Sequence, residues 1–334
     1  MNHARLMQVV EIPGNARVSA GDRAEVMMRR AATMATMAAA LLAGMASGRA
    51  EEFRVLAWNV ESNRPGQSQV SDAQVIGGQL SELLRSPATR AQVIALSEVE
   101  PKTVWTYRAA VAAGLGGEVD FVTSASGGYA DADSLMLLVD ARRFRIDEVI
   151  ELHRYAGIRA NFTVEDENSS EHGSVRGRSP LIARLHDLSH GDDFWVIVNH
   201  LARGENDLRT DQARALRRWA ADRSEPVIAA GDFNFDYEFT TAKGNPAFDA
   251  MLEEGTWTWV KPDPLVDSNW SEDRKRLGPG VDSYPGSILD FVFVANGAKQ
   301  WKGESDVIVR PGDFPDDDRT SDHRPIIATF RPTP

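Results

Sequence analysis

Eight short apolar runs recur between Phe53 and Phe330, and each has an acid, an amide or an imidazole at or within two residues of one end. They are Phe53–Trp58, Val93–Leu96, Ser134–Val139, Leu181–Leu185, Phe194–Val198, Val227–Ala230, Leu289–Val294 and Pro325–Phe330. Each has strand length and is rich in Val, Ile, Leu or aromatic residues, the composition that favours a buried pleated surface. Eight such runs demand a large, many-stranded core. Between them, Val75–Leu84, Thr103–Ala113 and Asn206–Ala221 carry helical spacing. In the last, Leu208, Ala215, Leu216 and Trp219 share one face, and Arg209, Arg214, Arg217 and Arg218 are expected on a solvated periphery. No internal repeat and no long linker divides the chain, so residues 51–334 are expected to form one domain.

What such a domain can do is narrowed by what it lacks. With 334 residues and no cysteine, disulfide frameworks, thiolate metal sites and cysteine nucleophiles are excluded. Catalysis must use oxygen and nitrogen groups. A formal net charge of −12 gives the chain no extended basic face of the kind non-specific DNA binders use, although a local cation or a metal can still hold a phosphate.

Residues 1–50 read differently. Arg29 and Arg30 precede an uncharged stretch, Ala31 to Gly48, that ends in small residues, which is the layout of an export signal. Cleavage is expected after Ala50 or after Ala46, with Ala50 preferred, and translation is expected to start at Met27 or Met28. The alternatives are a membrane anchor, for which this alanine-rich run is short and weakly apolar, and a helix of the domain itself. The expected location is secreted or periplasmic, with no stable membrane span.

The polar residues at the strand borders form an ordered set. Asn59 follows FRVLAW, Glu98 follows VIALS, His200 follows FWVIVN, and Asp232 and Asn234 lie in GDFN after PVIAA. Asp290 sits at the start of LDFVFV, while Asp322 and His323 precede PIIATF. If the last two strands run antiparallel to the others, their beginnings lie beside the other strands' ends and the whole set meets at one edge. Four carboxylates, two imidazoles and two amides suit a hard cation, Mg²⁺ or alternatively Mn²⁺ or Ca²⁺. Mg²⁺ takes few protein ligands and leaves positions for water and phosphate, which points to phosphoester hydrolysis. Singly, a strand-terminal Asn or Asp is a common turn former and a lone histidine a common structural residue; the ordered combination carries the inference.

That ordered set, WNV (58–60), SEV (97–99), NHL (199–201), GDFN (231–234), LDFVF (289–293) and SDHRP (321–325), resembles the endonuclease/exonuclease/phosphatase superfamily over essentially the whole of residues 51–334. The resemblance implies an α+β fold, a four-layer sandwich of two packed mixed β-sheets flanked by helices. It implies Glu98 as principal metal ligand with Asn59 beside it and Asp322 as a further ligand. It implies Asp232 as the residue that aligns or activates water and Asn234 as a donor to the phosphoryl oxygen. His323, oriented by Asp290, matches the transition-state imidazole, His200 the second imidazole, and Arg178 an arginine near the phosphate. One departure is Ser97, where many members carry Gln, which leaves the support of Glu98 open.

The substrate is expected to be a phosphoester, nucleic acid first, with a phospholipid or an inositol phosphate as the alternative and a non-catalytic binding module as the remote one; no protein partner is implied. Substrate choice resides in loops. Two long ones are expected, Tyr155–Pro180 and Asp236–Gly286. Trp257, Trp259 and Trp270 in the second are expected to pack locally or, alternatively, to form a lip that grips substrate and would favour a lipid interface.

Overall fold

The computed structural model describes residues 51–61, 71–124, 134–152, 179–269, 287–313 and 319–332. All eight expected strands form, and four more join them to make two six-stranded sheets. The first sheet runs in the order β11 (Glu304–Val307), β12 (Ile326–Phe330), β1 (Phe53–Asn59), β2 (Val93–Val99), β4 (Ser134–Asp140), β3 (Val119–Thr123). The second runs β5 (Phe144–Glu151), β6 (Leu181–Asp187), β7 (Asp193–His200), β8 (Val227–Glu238), β10 (Ser287–Ala295), β9 (Trp257–Trp259). Both are mixed: β1 with β2 and β7 with β8 are parallel, and the remaining ladders are antiparallel.

Alternation along the strands sorts side chains into layers. From β1, Phe53, Val55 and Ala57 enter the core shared with the second sheet, while Leu56 and Trp58 turn outward to meet Ile76, Leu80 and Leu84 of α1 (Ala73–Arg85) and Tyr107 and Val111 of α2 (Val104–Leu115). Asp72 caps α1 by accepting from the backbone nitrogens of Gln74 and Val75, which satisfies donors that the helix itself leaves unmade. Helices α3 (Asn206–Ala221) and α4 (Pro246–Leu252) pack on the second sheet, giving four layers. Under α4, Phe233, Phe235, Phe248, Phe291 and Phe293 form one aromatic cluster, with Phe233 and Phe293 centroids 5.0 Å apart. Edge-to-face pairs of this kind add about 0.5–1.5 kcal/mol beyond the area they bury, and this cluster fixes the β8–β10 register on which two site residues stand.

In the second sheet one expectation fails, and Trp257 and Trp259 take the first of their two expected alternatives, local packing. The segment Asp236–Gly286 is not one long loop: β8 continues to Glu238, and α4 and β9 follow. Trp257 is buried and Trp259 packs 4.7 Å from Tyr237 and 5.2 Å from Phe291, so neither forms a lip. The reason is β9, whose pairing with β10 carries both tryptophans into the core. Trp270, Arg178 and most of the Tyr155–Pro180 segment lie outside the described residues. Among the described residues no helix is long and apolar enough to cross a membrane.

Candidate active site

Topology brings the strand-border residues to one edge. His200 and Asp232 are partners across the parallel β7–β8 ladder, and Asp232 and Asp290 across the antiparallel β8–β10 ladder, so three site residues stand abreast on neighbouring strands. On the first sheet Asn59 lies opposite Ser97, next to Glu98, and β12 runs antiparallel to β1, which places the preceding Asp322 and His323 at the same end. Because β1 lies against β8 and β10, the two half-sites face each other.

Asp232 is the hub. Its Oδ2 lies 3.0 Å from Asn59 Nδ2, 3.4 Å from His200 Nε2 and 3.7 Å from His323 Nε2, while its Oδ1 accepts from the backbone nitrogen of Asn234 at 2.9 Å. His200 Nε2 is also 3.4 Å from Glu98 Oε1. The glycine of GDFN has a steric cause: Gly231 has φ +132°, and a Cβ there would stand 2.3 Å from the Asn199 carbonyl oxygen. This close approach lets Asp232 and His200 sit side by side. Asn234 takes a left-handed φ of 52°, and its Nδ2 donates to Leu201 O at 3.0 Å, which ties the middle of β8 to the loop after His200. Asn245 in turn donates to Asn234 O at 2.8 Å.

His323 Nδ1 lies 2.8 Å from Asp290 Oδ2, both side chains being buried. Burial opposes a charged imidazole, but the carboxylates of Asp290, Asp322 and Asp232 outweigh it and hold His323 well above its ordinary value. Burial likewise pushes Asp290 up, against the pull of His323. One proton is therefore held within the pair, and three surrounding carboxylates favour the imidazolium. Its Nε2 hydrogen then points between Asp232 and Asp322 Oδ1, the latter 3.8 Å away. Ser268 supports the pair from behind, its Oγ accepting from the backbone nitrogens of Leu289 and Asp290.

The first sheet contributes acids. Strict alternation would turn Glu98 toward the helices with Ile94 and Leu96. Instead the register slips between Leu96 and Val99, and Glu98 takes φ +56°, a bulge that swings its carboxylate back to the site. Asn59 Nδ2 bridges Glu98 Oε1 at 3.2 Å and Asp232, and Asn59 Oδ1 accepts from Glu61 N at 3.0 Å. Since a backbone N–H must meet an oxygen, Asn59 presents hydrogens, not oxygen, to the carboxylate pair. Ser97, whose hydroxyl is buried with no hydrogen-bond partner among the described residues, gives Glu98 no support; Asn59 and His200 supply it.

Glu61 is a residue the sequence reading missed. Its Oε2 accepts from Asp322 N at 2.8 Å, and burial, with the nearby Asp322 carboxylate, pushes its pKa up to about 8. Burial also raises Asp322, where the charges of Glu98 and Asp232 add to the effect and those of His323 and Arg203 oppose it. Only its position two residues after Asn59 could have flagged Glu61. Arg209 is a second correction: it is buried, not peripheral, and its Nη1 donates to Ala202 O at 2.8 Å and Arg203 O at 2.7 Å, pinning the loop after His200. A polar helix position facing a turn full of carbonyls gains more from binding them than from water. Arg178 lies outside the described residues.

The sequence profile of the "Endonuclease/Exonuclease/phosphatase family" matches residues 56–323. Among solved structures, an endonuclease/exonuclease/phosphatase from Bacteroides vulgatus is 17% identical with TM-score 0.61, covering 84% of this chain and 99% of its own. A mannosyl-6-phosphatase of Bacteroides thetaiotaomicron is 16% identical with TM-score 0.56, covering 83% of this chain and 99% of its own. TDP2 of D. rerio, complexed with a single strand DNA product, is 16% identical with TM-score 0.55, covering 84% and 99%. No significant match was found among curated proteins. The structural likenesses establish the fold, and the profile, spanning WNV to SDH, establishes the lineage: the chain belongs to the endonuclease/exonuclease/phosphatase family of phosphoester hydrolases.

Proposed function

We propose that this chain is a divalent-metal-dependent phosphoester hydrolase, and within that class a phosphodiesterase acting on nucleic acid. The observation that carries the reading is the buried Asp290–His323 pair, 2.8 Å apart, whose imidazolium faces Asp232 across a gap that no hydrogen bond closes. Such a cation is suited to an oxyanion that gains charge in the transition state. Asp232, flanked by two imidazoles and an amide, is placed to orient a water and take its proton. His200, within 3.4 Å of the same carboxylate, contacts a phosphoryl oxygen or protonates the leaving group. The spare N–H of the Asn234 amide donates to the phosphoryl oxygen.

The donor set fits a hard cation. Glu98 and Asp322, joined by Glu61, form a group of oxygens in which burial first and mutual repulsion second raise Glu61 and Asp322, a cost that Mg²⁺, Mn²⁺ or Ca²⁺ would relieve. The ion, when bound, supplies charge neutralisation at the phosphoryl group. Asn59 donates to Glu98 and Asp232, and its Oδ1, which accepts from Glu61 N, keeps a second lone pair with which it would stand beside Glu98 as a ligand.

Nucleic acid stands ahead of lipid because Trp257 and Trp259 are packed inside and offer no aromatic lip to an interface. The fold also serves a sugar phosphate in the Bacteroides neighbour, so the test is a panel: plasmid DNA, RNA, sphingomyelin, inositol phosphates, a mannosyl phosphate and a bis-aryl phosphate, each with Mg²⁺ and with EDTA. Hydrolysis of DNA or RNA above the other substrates, abolished by EDTA, is the expected result. Full activity in EDTA overturns the metal-dependent reading, and preference for a monoester overturns the diesterase. Export to the periplasm or medium, proposed from Arg29, Arg30 and the run that follows, is tested by fractionating the native host.

A further inference from the structure

Far from the acid cluster, a nearly buried cation grips the start of the domain. Arg143, in the turn between β4 and β5, is 8% exposed, and its guanidinium carbon lies 5.5 Å from the Phe144 ring centroid. Its Nη2 donates to Asp187 Oδ2 at 2.9 Å and to the Glu51 carbonyl at 3.0 Å, and its Nη1 pairs with the Glu51 carboxylate. Asp187 is buried at the end of β6, and its Oδ1 accepts from Ser189 N, holding the β6–β7 turn. That turn presents His190, whose Nε2 lies 2.8 Å from the backbone nitrogen of Glu51. Since the N–H must meet a lone pair, this imidazole is a neutral acceptor there.

Every polar group of Glu51 is thus held: nitrogen by His190, carbonyl and carboxylate by Arg143. A residue at the edge of a domain rarely has all of its groups so engaged, because chain termini fray unless tied down. The site is also acidic, with the buried Asp187 and the largely exposed Glu51 carboxylate against one guanidinium, so it attracts a further cation. A positive charge on the Glu51 nitrogen would add to that attraction, and an ammonium would give His190 Nε2 a charge-assisted hydrogen bond in place of a neutral one.

We propose that Arg143, Asp187 and His190 form a receptacle for a free α-amino group on Glu51, and that the chain is processed between Ala50 and Glu51 and not after Ala46. The step is hydrolysis by an export-associated endopeptidase: water adds across the Ala50–Glu51 peptide bond, leaving a carboxylate on Ala50 and an ammonium on Glu51. The receptacle lies apart from the hydrolytic site, so the proposal does not depend on the proposed function.

Two measurements test it. Amino-terminal sequencing of protein exported by the native host should return Glu-Glu-Phe; a start at Ser47 overturns the processing site. Protein beginning at Glu51 should melt about 2–4 °C above protein beginning at Ser47, as expected for one added polar interaction in a domain of this size. In His190→Ala, a change at an exposed side chain that leaves the buried Arg143–Asp187 pair intact, the difference should shrink. Equal melting temperatures, or a difference that His190→Ala leaves untouched, overturn the receptacle.

Discussion

Asp290 and His323 belong to different sheets, and their 2.8 Å contact joins β10 of one to the segment leading into β12 of the other. The imidazole's orientation therefore depends on how the sheets pack, not on either strand alone.

Asp290→Asn keeps the size and removes the charge that favours the imidazolium. kcat should fall about 100-fold or more, with the Mg²⁺ concentration for half-activation nearly unchanged. Steady-state rates across a Mg²⁺ titration check it; a defect cured by more Mg²⁺ would make Asp290 a ligand.

Glu98→Gln should show the opposite emphasis, weakening metal affinity about 10-fold or more before kcat falls. Calorimetric Mg²⁺ binding reads this directly, and unchanged affinity would remove Glu98 from the metal site.

Gly231→Ala should be destabilised by about 3 kcal/mol or more, because φ +132° and a Cβ 2.3 Å from Asn199 O leave no relaxed position for the methyl group. Chemical denaturation measures it; near-native stability would mean that β7 and β8 can separate locally.

The pH dependence of stability has a defined sign. Glu61 titrates at about 8 in the folded chain against 4.5 ordinarily, so the fold binds its proton more tightly than the unfolded chain. That contribution is complete below about pH 4.5 and is lost as pH rises through 8. His323, also raised, acts in the same direction above its ordinary 6.5. Melting temperature in EDTA should fall between pH 5 and pH 8, and Glu61→Gln should flatten the slope. A wild-type profile already flat over that range would show that Glu61 is ionised throughout.

Much of the fold was legible because interior strands must be apolar on both faces. β1, β2, β4, β6, β7, β8, β10 and β12 are interior among the described residues, and their Val, Ile, Leu and aromatic runs announce them. The four strands that went unread, β3, β5, β9 and β11, are the four sheet edges. β5 reads FRIDEVIE and β11 ESDV, with Arg145, Asp147, Glu148, Glu304 and Asp306 directed to water, so their strand character comes from pairing with a neighbour and not from composition.

The chemical identity of the site was likewise set by sequence order, since a polar residue that ends a buried strand has few places to point. Asn59 and His200 end β1 and β7, Asp322 and His323 precede β12, and Asp232, Asn234 and Asp290 border the apolar runs within β8 and β10. Tertiary structure alone decided the rest. Glu98 faces the site only because a bulge reverses its alternation, and Glu61 becomes an acid of pKa about 8 only because the loop carrying Asp322 closes over it. Arg209 turns from a surface charge into a clamp because the turn after His200 folds onto its guanidinium, and Trp259 becomes core because β9 pairs with β10. Each outcome depends on a long-range contact whose electrostatics or packing outweighs the local preference of the residue, and local sequence carries no record of such a contact.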